Sequence, residues 1–209
     1  MSWNWNPIQK IVILTILACA VLAQNVPASG LISKGGRMTL ELNTAKVSIE
    51  VPEKWETVKD IFNLPITLLS PDYSPGPPEQ VEDFKARRSA LTVIPTGAKQ
   101  VTLLREGLEK EQDIYFSDKK ADLESGGAIL LSKIPYHFES LGRELSRGTP
   151  EGIHSIGVRF KTGSQVFSEI SHYVVCDQQI FLLKSMIHDE DRATDEMKIE
   201  SIVRSFRCL

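Results

Sequence analysis

The sequence predicts an α/β (α+β) fold in which one sheet carries helices on both of its faces. Residues 180–187 are apolar at both parities, which is typical of a strand that is covered on its two sides. Residues 154–161 alternate apolar and polar side chains, as in a strand with one buried face. The chain then closes with an amphipathic helix whose apolar residues are Ile199, Ile202, Val203 and Phe206. These observations favour a layered domain over a one-sided sheet.

Composition restricts the classes of protein to which the chain can belong. Its 209 residues are 42% hydrophobic and 24% charged, so the chain is globular and long enough for one domain. A net charge of −3 argues against a nucleic-acid binder. The basic pairs 87–88 and 119–120 are too small to change that conclusion, and we expect them to be solvated.

The N-terminus predicts export. Residues 11–23 are apolar and uncharged, and as a helix they would span roughly 20 Å, short of the roughly 30 Å hydrocarbon core. Ala18 with Ala20, and Val21 with Ala23, are candidate signal-peptidase patterns. Residues 1–23 are therefore predicted to be a signal peptide. An uncleaved signal anchor remains an alternative.

Cys19 leaves the type of export open. Residues 16–19, Ile-Leu-Ala-Cys, resemble the lipobox of bacterial lipoproteins, whose cysteine becomes the lipidated first residue. Cys19 is thus a candidate for lipidation. Simple secretion, with Cys19 as a small residue of the apolar run, is the other interpretation. The predicted location is the periplasm or, for a lipoprotein, the membrane surface of the cell envelope, with release from the cell as an alternative.

Export makes Cys176 and Cys208 a candidate disulfide pair, because exported proteins fold in an oxidising compartment. The alternative is a buried thiol at Cys176 and a free terminal thiol at Cys208. A catalytic thiol at Cys176 is disfavoured, since Val174 and Val175 indicate burial and no activating base is evident.

The exported chain divides into a flexible tether over residues 24–36 and a single domain over 37–209. Residues 38–42 and 45–51 alternate and predict a hairpin, and Pro52 ends its second strand. Val101, Leu104 and Leu108 lie on one helical face. Further strands are predicted over the ranges 64–69, 90–94, 128–134 and 165–176.

A long proline-rich, acidic loop is predicted between the third and fourth strands, over residues 70–83. Loops of this length in a compact domain are often functional. We take this loop as the candidate partner-binding surface. Its candidate binding residues are Asp72, Tyr73, Glu79, Glu82 and Asp83.

Two stretches resemble PsbP-like domains. Residues 47–55 match their opening strand, proline and tryptophan, and residues 179–206 match their closing strand and helix, ending in Ile202-Val-Arg-Ser-Phe206. The matched residues, including Trp55, belong to the core and carry no chemistry. The resemblance implies a three-layer α/β/α sandwich with a central, mainly antiparallel sheet. The fold is shared by a eukaryotic Ran-binding protein and many exported bacterial proteins, and it implies a non-catalytic module that binds other proteins.

No catalytic motif was found in the sequence, so no catalytic residue, metal site or cofactor is predicted. The histidines are scattered: His172 and Cys176 would lie about 13 Å apart along one strand, too far to share a metal. The acidic run after His188 is explained by Asp191 or Asp195 favouring a helix N-terminus.

The sequence therefore predicts an exported or lipid-anchored envelope protein that binds a protein partner as a monomer and has no enzymatic activity. It contacts a membrane only through a lipid or signal anchor. Two alternatives remain. One is a carrier of a small ligand or lipid in an apolar pocket, and the other is an enzyme or metal-binding protein with a site assembled from scattered residues.

Overall fold

The computed structural model describes residues 31–32, 36–42, 45–59, 66–71, 88–96, 102–142, 148, 150–176 and 179–209. Eleven strands and three α-helices are described. The strands are β1 (Leu31–Ile32), β2 (Gly36–Leu42), β3 (Ala45–Val51), β4 (Glu56–Lys59), β5 (Ile66–Leu69), β6 (Ala90–Pro95), β7 (Ile129–Ser140), β8 (Gly152–Thr162), β9 (Gln165–Cys176), β10 (Gln179–His188) and β11 (Arg207–Cys208). The helices are α1 (Thr102–Lys110), α2 (Gln112–Ser125) and α3 (Arg192–Arg204), with a 3-10 turn at Asp189–Asp191.

Eight strands form the central sheet in the order β1-β4-β5-β6-β10-β9-β8-β7, and every neighbouring pair is antiparallel. Strand β10 lies in the interior of this sheet. Its side chains are buried at both parities, as the sequence predicted, because each face of the sheet is covered.

A second sheet, in the order β11-β3-β2, packs on one face of the central sheet together with α3. Trp55, Phe181 and Phe206 are fully buried in the core between these layers. The rings of Phe181 and Phe206 have centroids 5.4 Å apart. Trp55 and Phe206 therefore fill the core, as the sequence predicted.

Helix α2 covers the other face of the central sheet, over β7 and β8, and α1 packs beside it. Phe116 of α2 and Ile156, Val158 and Phe160 of β8 are buried there in a second core. The prediction of an α+β fold with a mainly antiparallel sheet and helices on both faces is confirmed.

Two features of the N-terminal half differ from the prediction. Leu31 and Ile32, inside the predicted tether, form β1 and pair with β4, and the first domain strand begins at Gly36. Strand β4 itself was not predicted, because its four residues, Glu-Thr-Val-Lys, are too few to show a period. The hairpin of β2 and β3 was predicted correctly, although it belongs to the second sheet.

Candidate functional site

The segment predicted to bind a partner emerges from a closed, buried stem between β5 and β6. Ser70 and Ser89 are both 0% exposed, and they bond twice: the Ser70 amide donates to the Ser89 carbonyl at 2.8 Å, and the Ser89 amide donates to Ser70 Oγ at 2.8 Å. The two ends of the intervening segment are thus held side by side at the end of the sheet.

Arg88 closes the stem. Its Nε donates to the Ser70 carbonyl at 2.8 Å, and its Nη1 lies 2.9 Å from Glu56 Oε2 on β4. The His188 amide donates to Ser89 Oγ at 3.3 Å, which adds the end of β10. We call this group, Glu56, Ser70, Arg88, Ser89 and His188, the stem corner. Arg88, expected to be a solvated member of a basic pair, is instead a half-buried structural contact.

The stem corner contains residues 70 and 89, between which the predicted partner-binding loop runs in sequence, but the loop's own residues lie outside the described part of the chain. Those residues are Asp72, Tyr73, Glu79, Glu82 and Asp83. Their role stays a prediction, as does that of Cys19, which also lies outside. What the structure adds is the place where the loop leaves the domain.

A buried ionic cluster lies between α2 and the central sheet. Glu169 of β9 forms ion pairs with two lysines. Its Oε1 lies 2.5 Å from Nζ of Lys119 on α2, and its Oε2 lies 3.2 Å from Nζ of Lys184 on β10. All three side chains are at most 7% exposed. Lys119, expected to be solvated, is therefore buried. The sequence carried a weak signal for this, because Lys184 interrupts the apolar run of β10.

Electrostatics keep Glu169 charged despite its burial. Burial raises the pKa of this carboxyl, but Lys184 and Lys119 lower it by more, so that the pKa lies below its usual range. Burial, with a smaller contribution from the charge of Glu169, raises the pKa of Tyr115 well above its usual value. Burial also raises the pKa of Tyr173 to about 12. The phenols therefore stay protonated beside the ion cluster at neutral pH.

The cluster bears on the carrier alternative. A lipid or apolar ligand needs an apolar cavity. The interface between α2 and the sheet instead holds two lysines, a glutamate and two tyrosine hydroxyls. An apolar chain inserted here would separate these buried charges from one another without offering them new partners. This interface does not favour an apolar ligand.

Cys176 and Cys208, the pair considered from the sequence, are joined as a disulfide with a Cα–Cα distance of 5.6 Å. Cys176 ends β9 of the central sheet, whereas Cys208 lies in β11 of the second sheet, so the bond connects the two sheets. The Cys208 amide also donates to the Gly148 carbonyl at 2.7 Å. This bond leaves no thiol at Cys176 for nucleophilic chemistry.

Of the described histidines, His137 and His172 lie opposite the same Ser155 on neighbouring strands, whereas His154 and His188 make separate contacts. His172 Nδ1 lies 2.9 Å from Ser155 Oγ, His154 Nδ1 lies 2.8 Å from the Tyr136 hydroxyl, and His188 pairs across the sheet with Phe167. Burial lowers the pKa of His172 to about 4, which holds the ring neutral at physiological pH.

Two further observations concern the described residues. They contain no group of three or more His, Cys, Asp or Glu side chains arranged to hold a metal ion. Within the same ranges no helix has the length and apolar character needed to cross a membrane.

Asp191 occupies the N-cap position of α3 without a side-chain capping bond, and Asp195 is buried in the first turn. Asp191 and Asp195 both place a carboxylate at the N-terminal end of α3, where a carboxylate interacts favourably with the helix dipole.

Comparison with known proteins identifies the fold. The structure is similar to that of cyanobacterial PsbP (CyanoP) from Synechocystis sp. PCC 6803, with a TM-score of 0.56 and 11% sequence identity over 88% of this chain and 98% of that chain. It is less similar to LpqN of Mycobacterium tuberculosis, involved in cell envelope biogenesis, with a TM-score of 0.45 and 11% identity over 84% and 92% of the two chains. No family model and no curated protein sequence matches.

The chain therefore has a PsbP-like fold, and the resemblance inferred from residues 47–55 and 179–206 is confirmed at the level of the fold. At 11% identity the likeness concerns the fold alone. Function must be argued from the chain's own residues.

Proposed function

We propose that this chain is an exported or lipid-anchored bacterial cell-envelope protein that binds a protein partner through the acidic segment held by the stem corner, without catalysing a reaction. The observation that carries the proposal is the stem itself. Two fully buried serines and Arg88 hold together the two points of the chain, residues 70 and 89, between which the acidic segment runs in sequence. Loops positioned in this way on a rigid scaffold commonly carry binding residues.

The chemistry of the segment indicates the kind of partner. Asp72, Glu79, Glu82 and Asp83 are acidic, and Tyr73 supplies an aromatic group of the type enriched in protein interfaces. A cationic surface on the partner would complement these charges and increase the association rate. We therefore expect binding that weakens as salt concentration rises.

The disulfide supports the exported location. Structural disulfides persist in oxidising compartments and are rare in the reducing cytosol. A bond that connects two sheets of the domain fits a protein that folds after export. The predicted leader, including Cys19, would direct the chain to export. The intact mass of the mature protein distinguishes lipidation at Cys19 from cleavage after Ala20 or Ala23.

The partner is tested by capture from an envelope extract with three forms of the chain. One is the wild type, and one carries amides in place of the four loop carboxylates. The third is a matched control in which four exposed carboxylates elsewhere become amides, namely Glu106, Asp113, Glu124 and Glu200. We expect one stoichiometric partner with the wild type and the control but not with the loop variant. Equal capture by all three forms would reject the loop as the binding surface.

A further inference from the structure

Strand β7 forms the edge of the central sheet that lies farthest from β1. It is 12 residues long, and among the described strands it pairs with β8 alone. The side of an edge strand that faces away from the sheet presents a row of backbone N–H and C=O groups, which can pair with another extended chain. Strand β7 therefore offers a template for the addition of a further strand.

The second half of this edge is protected against such pairing. Pro135 has no N–H to donate, and the register between β7 and β8 shifts between Ile134 and His137. Prolines and bulges are devices with which natural sheets prevent their edges from pairing. Strand addition is therefore confined to residues 129–134.

The first half of the edge exposes apolar side chains instead. Ile129 is 62% exposed and Leu131 is 47% exposed. A register shift between Leu130 and Ser132 places Leu131 at a bulge, and bulges change the direction of a side chain. An exposed apolar edge is a hazard for aggregation unless it binds a partner.

The charge beside these apolar groups is positive. Lys133 belongs to the same half of the strand and its side chain is 52% exposed, and the exposed Lys161 lies opposite Ile129 on β8. Asp113 lies 3.8 Å from Lys133 but is 93% exposed, and an exposed pair of this kind contributes little. Residues 129–134 themselves contain no carboxylate. The edge thus combines backbone hydrogen-bonding groups, apolar side chains and two cations.

We propose that residues 129–134 of β7 bind an extended, acidic segment of a partner protein, which adds a strand to the central sheet. In this mode of recognition the backbone hydrogen bonds supply affinity and the side chains supply selectivity. Carboxylates of the segment would lie beside Lys133 and Lys161, and its apolar residues would pack on Ile129 and Leu131. The inference goes beyond the proposed function, because it uses neither the acidic segment of this chain nor its anchor.

The same features disfavour two other occupants of this edge. A second copy of the chain would bring Lys133 and Lys161 of both molecules into one interface, where like charges repel. The apolar interior of a membrane would leave the N–H and C=O groups of the edge without hydrogen-bond partners. An acidic strand satisfies both the backbone and the lysines.

The proposal is tested with a fluorescent peptide of sequence Val-Glu-Val-Glu-Val-Glu and a matched peptide in which lysine replaces each glutamate. The protein is the Cys19→Ser variant, which cannot carry a lipid at that position. By fluorescence anisotropy we expect the acidic peptide to bind roughly tenfold more tightly than the basic peptide. It should also slow amide hydrogen exchange at residues 129–134 but not at residues 137–140. The absence of binding at ~1 mM acidic peptide, or binding that leaves exchange at 129–134 unchanged, would overturn the proposal.

Charge reversal separates this site from general electrostatic attraction. In Lys133→Glu/Lys161→Glu we expect the preference to change to the basic peptide. The control is Lys110→Glu/Lys120→Glu, which makes the same change in net charge at lysines that are 73% and 58% exposed on α1 and α2. The control should keep the preference of the wild type. Equal effects of the two double variants would reject Lys133 and Lys161 as the recognition groups.

The other occupants are tested with the same protein and no peptide. In sedimentation equilibrium we expect a monomer, and with phosphatidylglycerol vesicles we expect the protein to stay in the supernatant. A dimer whose formation slows exchange at residues 129–134 would assign the edge to a second copy. Pelleting with the vesicles that is lost in Lys133→Glu/Lys161→Glu would assign it to lipid. Either result would overturn the proposal.

Discussion

Glu169 on β9 and Lys119 on α2 form an ion pair across the interface between helix and sheet, with 2.5 Å between Oε1 and Nζ. The pair is far apart in sequence and almost completely buried. Helix α2 is thereby attached to the sheet by a buried charged contact. Such a contact specifies how the helix sits, because any shift would leave a charge unpaired.

The first prediction concerns this pair. In Glu169→Gln two buried lysines lose their carboxylate, so we expect the free energy of unfolding to fall by about 3 kcal/mol or more. Urea denaturation followed by circular dichroism measures the change. The matched control is Glu124→Gln, which breaks the exposed pair with Lys120 and should cost less than about 0.5 kcal/mol. Similar losses in the two variants would contradict a buried, charged Glu169.

The second prediction concerns acid. His172 has a pKa of about 4 in the folded chain, compared with 6.5 for an ordinary histidine. Between these two pH values the unfolded chain binds one more proton at this histidine than the folded chain does. The contribution of His172 to stability is therefore fully present above pH 6.5 and declines as the pH falls towards 4, by ~3 kcal/mol in total. Protonation of Glu169, whose pKa in the fold lies below its usual value, also lowers stability, and it does so at lower pH.

Replacing the ring should remove the first part of this decline. We expect His172→Gln to show a smaller loss of stability between pH 6.5 and 4.5 than the wild type, measured by urea unfolding at each pH. His137→Gln, at an exposed position opposite the same Ser155, is the control and should keep the wild-type slope. An unchanged slope in His172→Gln would show that the folded chain protonates His172 as readily as the unfolded chain does.

The third prediction concerns the disulfide. Its sequence separation of 32 residues corresponds to roughly 3–4 kcal/mol of stabilisation from loop closure. We expect Cys176→Ser/Cys208→Ser to lose about that amount. Dithiothreitol should lower the melting temperature of the wild type but not that of the double variant. If the reductant shifts both equally or neither, the bond does not stabilise the isolated protein.

The fourth prediction concerns Gly157 in β8. A Cβ at this position would collide with the carbonyl oxygen of Glu169, so β8 and β9 approach closely only because residue 157 has no side chain. We expect Gly157→Ala to destabilise the fold by about 1–3 kcal/mol. Gly126→Ala is the control, because its backbone φ is −87° and a Cβ there meets only ordinary contacts. Thermal unfolding of the two variants should separate them clearly.

Much of the fold was predictable from local pattern. The two-sided burial of β10 was correct, and the alternation predicted for β8 holds except at the buried Gly157, because each strand is long enough to show its period. The second sheet was not predicted, since pattern identifies the β2–β3 hairpin but not the layer to which it belongs. Strand β1 was missed because two residues carry no period, and its pairing depends on the edge that β4 presents.

The candidate site, like the fold, was only partly predictable from the sequence. Sequence alone indicated an acidic insertion, two cysteines able to pair in an exported protein, and an apolar leader, because composition and spacing are properties of the chain itself. Tertiary structure decided which charges are buried: Lys119 and Lys120 are adjacent, yet only Lys119 reaches Glu169, 50 positions away. It also placed β1 beside the stem corner. Both depend on contacts between distant residues, and packing of the whole core determines these.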